Sequence, residues 1–201
     1  MEMEFELVGE MGLYAKAEVE AGFSTDEQIV ERAIRRHAGQ GDYLALRDLA
    51  RELVGFAAGR HLLRQREWPL VTDCDRLELA FGRLGESGIV CRQNFHADDQ
   101  QGLVAIDEEM DREEAAGRKV RGYAYYHRRD IDLAIAGGGL FLSYGASDGE
   151  AEDDDRADLG IGAEVVEALR QLGLAPQWSG DGDTRIHLPL QWQRRRAWID
   201  D

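Results

Sequence analysis

A chain of 201 residues with 43% hydrophobic side chains has material for one full domain with a helical extension, and too much of it for global disorder. Its net charge of −16, from 40 acidic and 24 basic side chains, disfavours general nucleic-acid binding, because such a surface repels phosphates. No apolar run approaches the roughly 18–20 residues that cross a bilayer, and the acidic start Met1-Glu2-Met3-Glu4 lacks the basic-then-apolar order of an export signal.

The N-terminal third reads as helices. Ser24 and Glu27 have capping-box spacing, followed by a helical stripe of Ile29, Val30, Ala33 and Ile34. A longer helix opens near Asp42, with a single apolar seam of Leu46, Leu49, Leu53, Phe56 and Leu63, Arg60 filling its one gap. Trp68-Pro69 ends it, since proline disfavours helical geometry at the residue before it. The expected organisation is a helical subdomain over 1–67 and a main domain over 68–201.

From Thr72 the pattern alternates. Thr72 caps a helix whose buried face is Leu77, Ala80, Phe81 and Leu84, and Gly88 ends it. A strand follows over 89–95, a helix over about 103–116, and a tyrosine-rich strand over 120–127. A short helix over 130–136 and Gly137-Gly138-Gly139 lead to a strand over 140–144. Ser147 to Asp158 has seven carboxylates against one arginine and reads as a solvated loop without calcium-loop spacing. Ile161, Val165, Val166, Leu169 and Leu172 then form a helix closed by Gly173. A hairpin with arms 175–179 and 185–190 ends the pattern; Pro189 points to an edge position. The fold expected is α+β: about five strands in a mixed sheet, packed by amphipathic helices on one face, with ferredoxin-like elements.

Few residues offer chemistry. Cys74 and Cys91 are too few for a disulfide framework and read as buried free thiols of a reducing, cytoplasmic compartment. The glycine triplet follows a helix and precedes a strand, the reverse of a phosphate-binding loop. The five histidines show no zinc-ligand spacing; His127 and His187 approach each other only if their strands are neighbours. A ligand or catalytic pocket would draw on Asn94, His127 and Tyr144, near strand ends. His96, Asp98 and Asp99, in the polar loop after the first strand, are the candidate metal ligands. No cofactor is expected. The terminal Trp192-Gln193-Arg194-Arg195-Arg196-Ala197-Trp198 pairs aromatic and basic groups, and in so acidic a chain an internal role is favoured over contact with nucleic acid.

Trp68-Pro69, Thr72-Asp73-Cys74-Asp75-Arg76-Leu77, Gly88-Ile89-Val90 and Gln93-Asn94-Phe95, with Arg121-Gly122-Tyr123, Tyr126-His127, Tyr144-Gly145, Trp178-Ser179-Gly180 and Trp192 with its arginines, resemble domain-of-unknown-function family 6891. The resemblance spans about 68–196, and more loosely the N-terminal helices. It implies a bacterial-type cytosolic protein and supplies no activity. It also implies a cysteine-rich CCxxCG segment after Asn-Phe; here Ala97, Asp98 and Gln101 stand at the matching positions and only Gly102 remains. Alanine and glutamine cannot replace thiolates as ligands or nucleophiles. The expected function is therefore a non-enzymatic interaction or regulatory protein that engages a protein partner through its acidic surface. The alternatives are the pocket and the metal loop named above.

Overall fold

A computed structural model describes residues 2–96, 99–147 and 154–196. The chain divides into two compact units, Met1–Leu70 with Gln193–Asp201, and Val71–Trp192. The C-terminal segment thus belongs with the N-terminal helices, although it lies beyond the main domain in sequence.

The first unit contains α1 (Glu2–Ala21), α2 (Asp26–Arg36) and α3 (Tyr43–Gln65). The box that opens α2 sits one residue later than Ser24 and Glu27 suggest. Gln28 N donates to Thr25 Oγ1 at 3.3 Å and Thr25 N donates to Gln28 Oε1 at 3.0 Å, while the Ser24 hydroxyl takes the Arg32 guanidinium instead. The α2 stripe Ile29, Val30, Ala33 and Ile34 is buried as its period requires. Asp42 caps α3, accepting from Leu44 N and Ala45 N. α3 buries Leu46, Ala50, Val54, Ala58 and His61; of the expected seam, Leu46 is in the core and Leu49 and Leu53 pack partly buried against it, while the far end turns outward. Phe56 and Leu63 are 65% and 59% exposed. Smaller side chains let α3 approach Met11, Ala15 and Val19 of α1 and the α2 stripe, with which they form one cluster. Gly12 lies against Leu53 and Glu20 pairs with Arg64, so α1 and α3 run parallel.

The chain end is tied to this unit through its backbone. His61 Nε2 donates to Arg194 O at 3.0 Å, and Gln65 accepts from Arg196 N at 2.9 Å while donating to Arg196 O at 3.1 Å. Arg196 reaches Asp26 at 2.5 Å, and the Arg194 guanidinium lies 4.1 Å over the Phe23 ring. The basic segment is engaged internally, as its setting in an acidic chain suggested. Trp198 lies outside the described residues.

The second unit runs α4 (Asp73–Glu86), β1 (Ile89–Arg92), α5 (Asp99–Ala115), β2 (Gly122–Tyr125), α6 (Arg128–Ile135), β3 (Leu140–Ala146), α7 (Asp154–Gln171) and β4 (Ile186–Leu188). Thr72 caps α4 in a full box with Asp75, and Gly88 ends it at φ 90°. The four strands lie in sequential order, β1 parallel to β2 and the rest antiparallel.

This is an α+β fold with four strands rather than five. The first arm of the closing hairpin makes a single bridge, Gln177 to His187. Beyond it the chain leaves the ladder, because Trp178 Nε1 donates to Tyr144 Oη at 3.0 Å. β4 forms an edge, as Pro189 after it requires. β1 and β2 are direct neighbours joined through α5, so the split arrangement of a ferredoxin-like sheet does not form.

Helices cover both faces of the sheet rather than one. Ile106 and Met110 of α5 pack with Val90, Tyr123 and Tyr125. On the other side Phe81 of α4 meets Tyr126, and Gly162 of α7 lies against Tyr144. α7 begins at Asp154, so a helix takes in the end of the acidic stretch, and Asp158 accepts from Ala146 N at 2.6 Å. Residues 148–153 of that stretch lie outside the described residues. Among the described residues no helix is long and apolar enough to cross a membrane.

Candidate functional site

The polar segment after β1 is anchored on the chain that leaves β2. Phe95 N donates to Tyr126 O at 2.8 Å, and Arg128 N to His96 O at 3.3 Å. His127 Nδ1 lies 2.9 Å from Phe95 O and donates to it, since a carbonyl only accepts. Tyr126 Oη donates to Gln93 Oε1 at 2.7 Å. These ties continue the β1–β2 pairing while Asn94 and His96 take left-handed backbone, φ 52° and 56°. Asn tolerates that region. At His96 it costs on the order of 1 kcal/mol.

His127 is only 3% exposed. Its ring packs on Tyr125 at 5.1 Å, and Gly102 in α5 comes so close that a Cβ there would lie 2.8 Å from the His127 ring. His127 therefore fastens the loop and the start of α5 to the sheet. Behind it, buried Asp130 accepts from His127 N at 2.8 Å and opens α6. Asp130 also receives both Arg185 nitrogens, at 3.1 and 2.6 Å, and Arg185 donates onward to Phe141 O. This pair spans 55 residues of sequence, and no local pattern announces it.

The expected pocket does not assemble around all three of its residues. Asn94 and His127 lie at the same end of the sheet, joined through Phe95. Tyr144 pairs with Ala124 in the β2–β3 ladder, and so stands on the α7 face. His127 follows the alternation of Tyr123 and Tyr125 on the α5 face. Tyr144 serves as a strut: its hydroxyl takes Trp178 Nε1 and lies 3.2 Å from the carbonyls of Asp181 and Thr184. Burial raises its pKa.

His187 is likewise structural, with Nε2 3.0 Å from Gly138 O and its ring stacked on Phe141 at 4.6 Å. The β3 strand, carrying Phe141, lies between it and the line of His127. Of the metal candidates, His96 is exposed, Asp98 lies outside the described residues, and the side chain of Asp99 does too. Among the described residues no group of three or more His, Cys, Asp or Glu side chains could hold a metal ion. Burial pushes the Cys91 thiol up to about 12, far from the range of a reactive thiolate.

α5 separates its carboxylates by face. Turned toward the sheet, Glu109 receives Arg92 at 2.5 Å, and Glu113 holds Arg118 with Arg92 at 3.4 Å. Hydrogen bonds from Arg92 and Arg118 respectively hold these carboxyls below their ordinary range. The outward row, Asp107, Glu108, Asp111 and Glu114, is exposed. Leu103 and Val104 lie beside it, 46% and 63% exposed. This ridge is legible in the sequence as spacing i, i+1, i+4, i+7, though the longer charge run at 147–158 is the more conspicuous.

No curated protein and no solved structure matches the chain. The family described as Domain of unknown function (DUF6891) matches residues 5–196, nearly the whole length, and the chain belongs to that family.

Proposed function

We propose that this protein is a non-enzymatic interaction module that engages a basic protein partner through acidic surface, chiefly the outward face of α5. The observation that carries this reading is the division of α5 carboxylates. Glu109 and Glu113 are consumed by arginines of the same unit, while Glu108, Asp111 and Glu114 face solvent beside exposed Leu103 and Val104. Glu108 meets Arg112 at 3.9 Å, a pairing that contributes little at an exposed site. Apolar contact flanked by one sign of charge gives a partner both adhesion and orientation. The same charge argues against nucleic acid as the target, and a cytoplasmic setting suits the free thiols. Supporting a non-enzymatic role, His127 and Tyr144 are occupied with holding backbone.

The test is affinity capture with the full chain at low and moderate salt, beside Glu108→Gln/Asp111→Asn/Glu114→Gln. Specific basic proteins are expected on the wild type and lost from the variant. Recovery of background proteins alone at both salts would sink the reading.

A second reading, a small-ligand site at the Asn94 and His127 end, draws support from the two left-handed residues, since such backbone concentrates at functional positions. It would take a polar ligand without using Tyr144. Isothermal titration against a metabolite panel, with Asn94→Ala as control, tests it.

A further inference from the structure

α1 and α3 present a second apolar face away from their shared core. Phe5, Leu13 and Phe56 are 75%, 71% and 65% exposed. Between the helices runs a groove of about 460 Å³, lined by Val8, Gly9, Gly12, Leu13, Leu53 and Phe56, with Lys16, Glu20, Arg60 and Arg64 at one end. Nothing lies within 4 Å of a Cβ placed on Gly9, so the floor is open to close approach by another backbone. Side chains at Gly9 and Gly12 would each improve helix propensity by about 1 kcal/mol, and their absence from the middle of α1 leaves the groove deep.

Charge says what fits. In the first half of α1, exposed Glu6 lies seven residues before Leu13 and so on the stripe that borders the groove. The groove ends on the opposite sign: Lys16, Arg60 and Arg64 against Glu20 alone, which already holds Lys16 at 3.3 Å and Arg64 at 2.5 Å. Because α1 and α3 run parallel, acid and base lie at opposite ends of one face. A second copy turned end for end sets Glu6 of its α1 along the basic end of the first groove, near Lys16, and the reverse holds by symmetry. Helix dipoles then oppose favourably as well. A like-oriented copy would bring acid onto acid.

We propose that this face joins two copies of the chain in an antiparallel four-helix arrangement of α1 and α3 with their symmetry mates, the two-fold axis passing between Gly9 and Gly12. At 1.5 Å per residue, the 20 residues of α1 and 23 of α3 give a face about 30 Å long and, for two helices side by side, about 20 Å wide. Roughly 600 Å² per copy is within the lower range of specific interfaces.

Sedimentation of the full chain from low to high micromolar concentration tests the proposal. The expected result is a reversible shift toward twice 22.6 kDa, weakened by salt. Leu13→Glu and Phe56→Glu, both at exposed positions and checked for unchanged thermal unfolding, should each weaken association at least 100-fold. Lys16→Glu should weaken it about tenfold, and adding Glu6→Lys should restore it. A monomer at every concentration overturns the proposal, as does a dimer indifferent to Leu13→Glu and Phe56→Glu, or a Lys16→Glu defect that Glu6→Lys does not repair. Because α5 takes no part, failure here leaves the capture experiment above intact.

Discussion

The two units use charge and apolar surface in opposite ways. In the sheet unit, helices cover both faces, and the arginines bridging its elements are matched within it: Arg121 with Glu164, Arg185 with Asp130, Arg92 with Glu109. In the helical unit, three helices share one core, and one face of α1 and α3 stays uncovered, with acid at one end and base at the other. Closing a sheet on both sides consumes the amphipathic stripes of its helices. A three-helix unit has no further layer with which to cover a second stripe.

The largest effect should come from the sheet. A Cβ on Gly122 would run into the Gly145 carbonyl and lie 2.9 Å from Ile161, both firmly placed, so Gly122→Ala is expected to cost about 3 kcal/mol or more in chemical denaturation. A loss under 1 kcal/mol would show that the β2–β3 pairing yields easily. Asp130→Ala strands Arg185 and frees the start of α6, and should cost about 2–3 kcal/mol, allowing for the partial exposure of Arg185. Gly102→Ala, which drives a methyl into His127, should cost about 1–3 kcal/mol, with earlier amide exchange in the first turns of α5. Thr72→Ala, removing a buried cap, should cost about 1 kcal/mol.

pH separates the units most gently. Burial, with Arg64 and Arg196 nearby, lowers the His61 pKa, against its bond to Arg194 O and the charge of Glu20. A histidine whose folded pKa lies below 6.5 favours unfolding once the unfolded chain begins to take up its proton. The helical unit should therefore lose stability as pH falls below about 6.5. Glu109 and Glu164 are lowered by hydrogen bonds from Arg92 and Arg121. Their contribution is complete above 4.5, and is lost only as pH falls below that toward their folded pKa values. Thermal unfolding from pH 8 to 5 should soften wild type more than His61→Asn; equal slopes would remove His61 as the cause.

Much was legible along the chain. The Thr72 cap, the α4 face of Leu77, Ala80, Phe81 and Leu84, the Gly88 stop and the α2 stripe all depend on neighbours within a few residues, and all stand in the fold. The acidic α5 row was equally visible in its spacing. Errors arose where two local solutions were of similar quality, as at Ser24 or Thr25 for the α2 cap. The α3 seam holds at Leu46, Leu49 and Leu53 but not at Phe56 and Leu63, because large side chains at helical period mark an apolar stripe without saying how far along it anything will cover it.

What the residues determined alone were the helix caps, the glycine stops, the alternation of helix and strand, and the acidic surface, since each follows from propensity and charge over one or two turns. Only tertiary structure decided that Tyr144 and His127 stand on opposite sheet faces, that Asp130 takes Arg185, and that Arg194 and Arg196 return to the first helices. Those outcomes rest on strand register and on pairings between residues far apart in sequence, where the chain-closure cost is met by the whole fold rather than by the residues concerned.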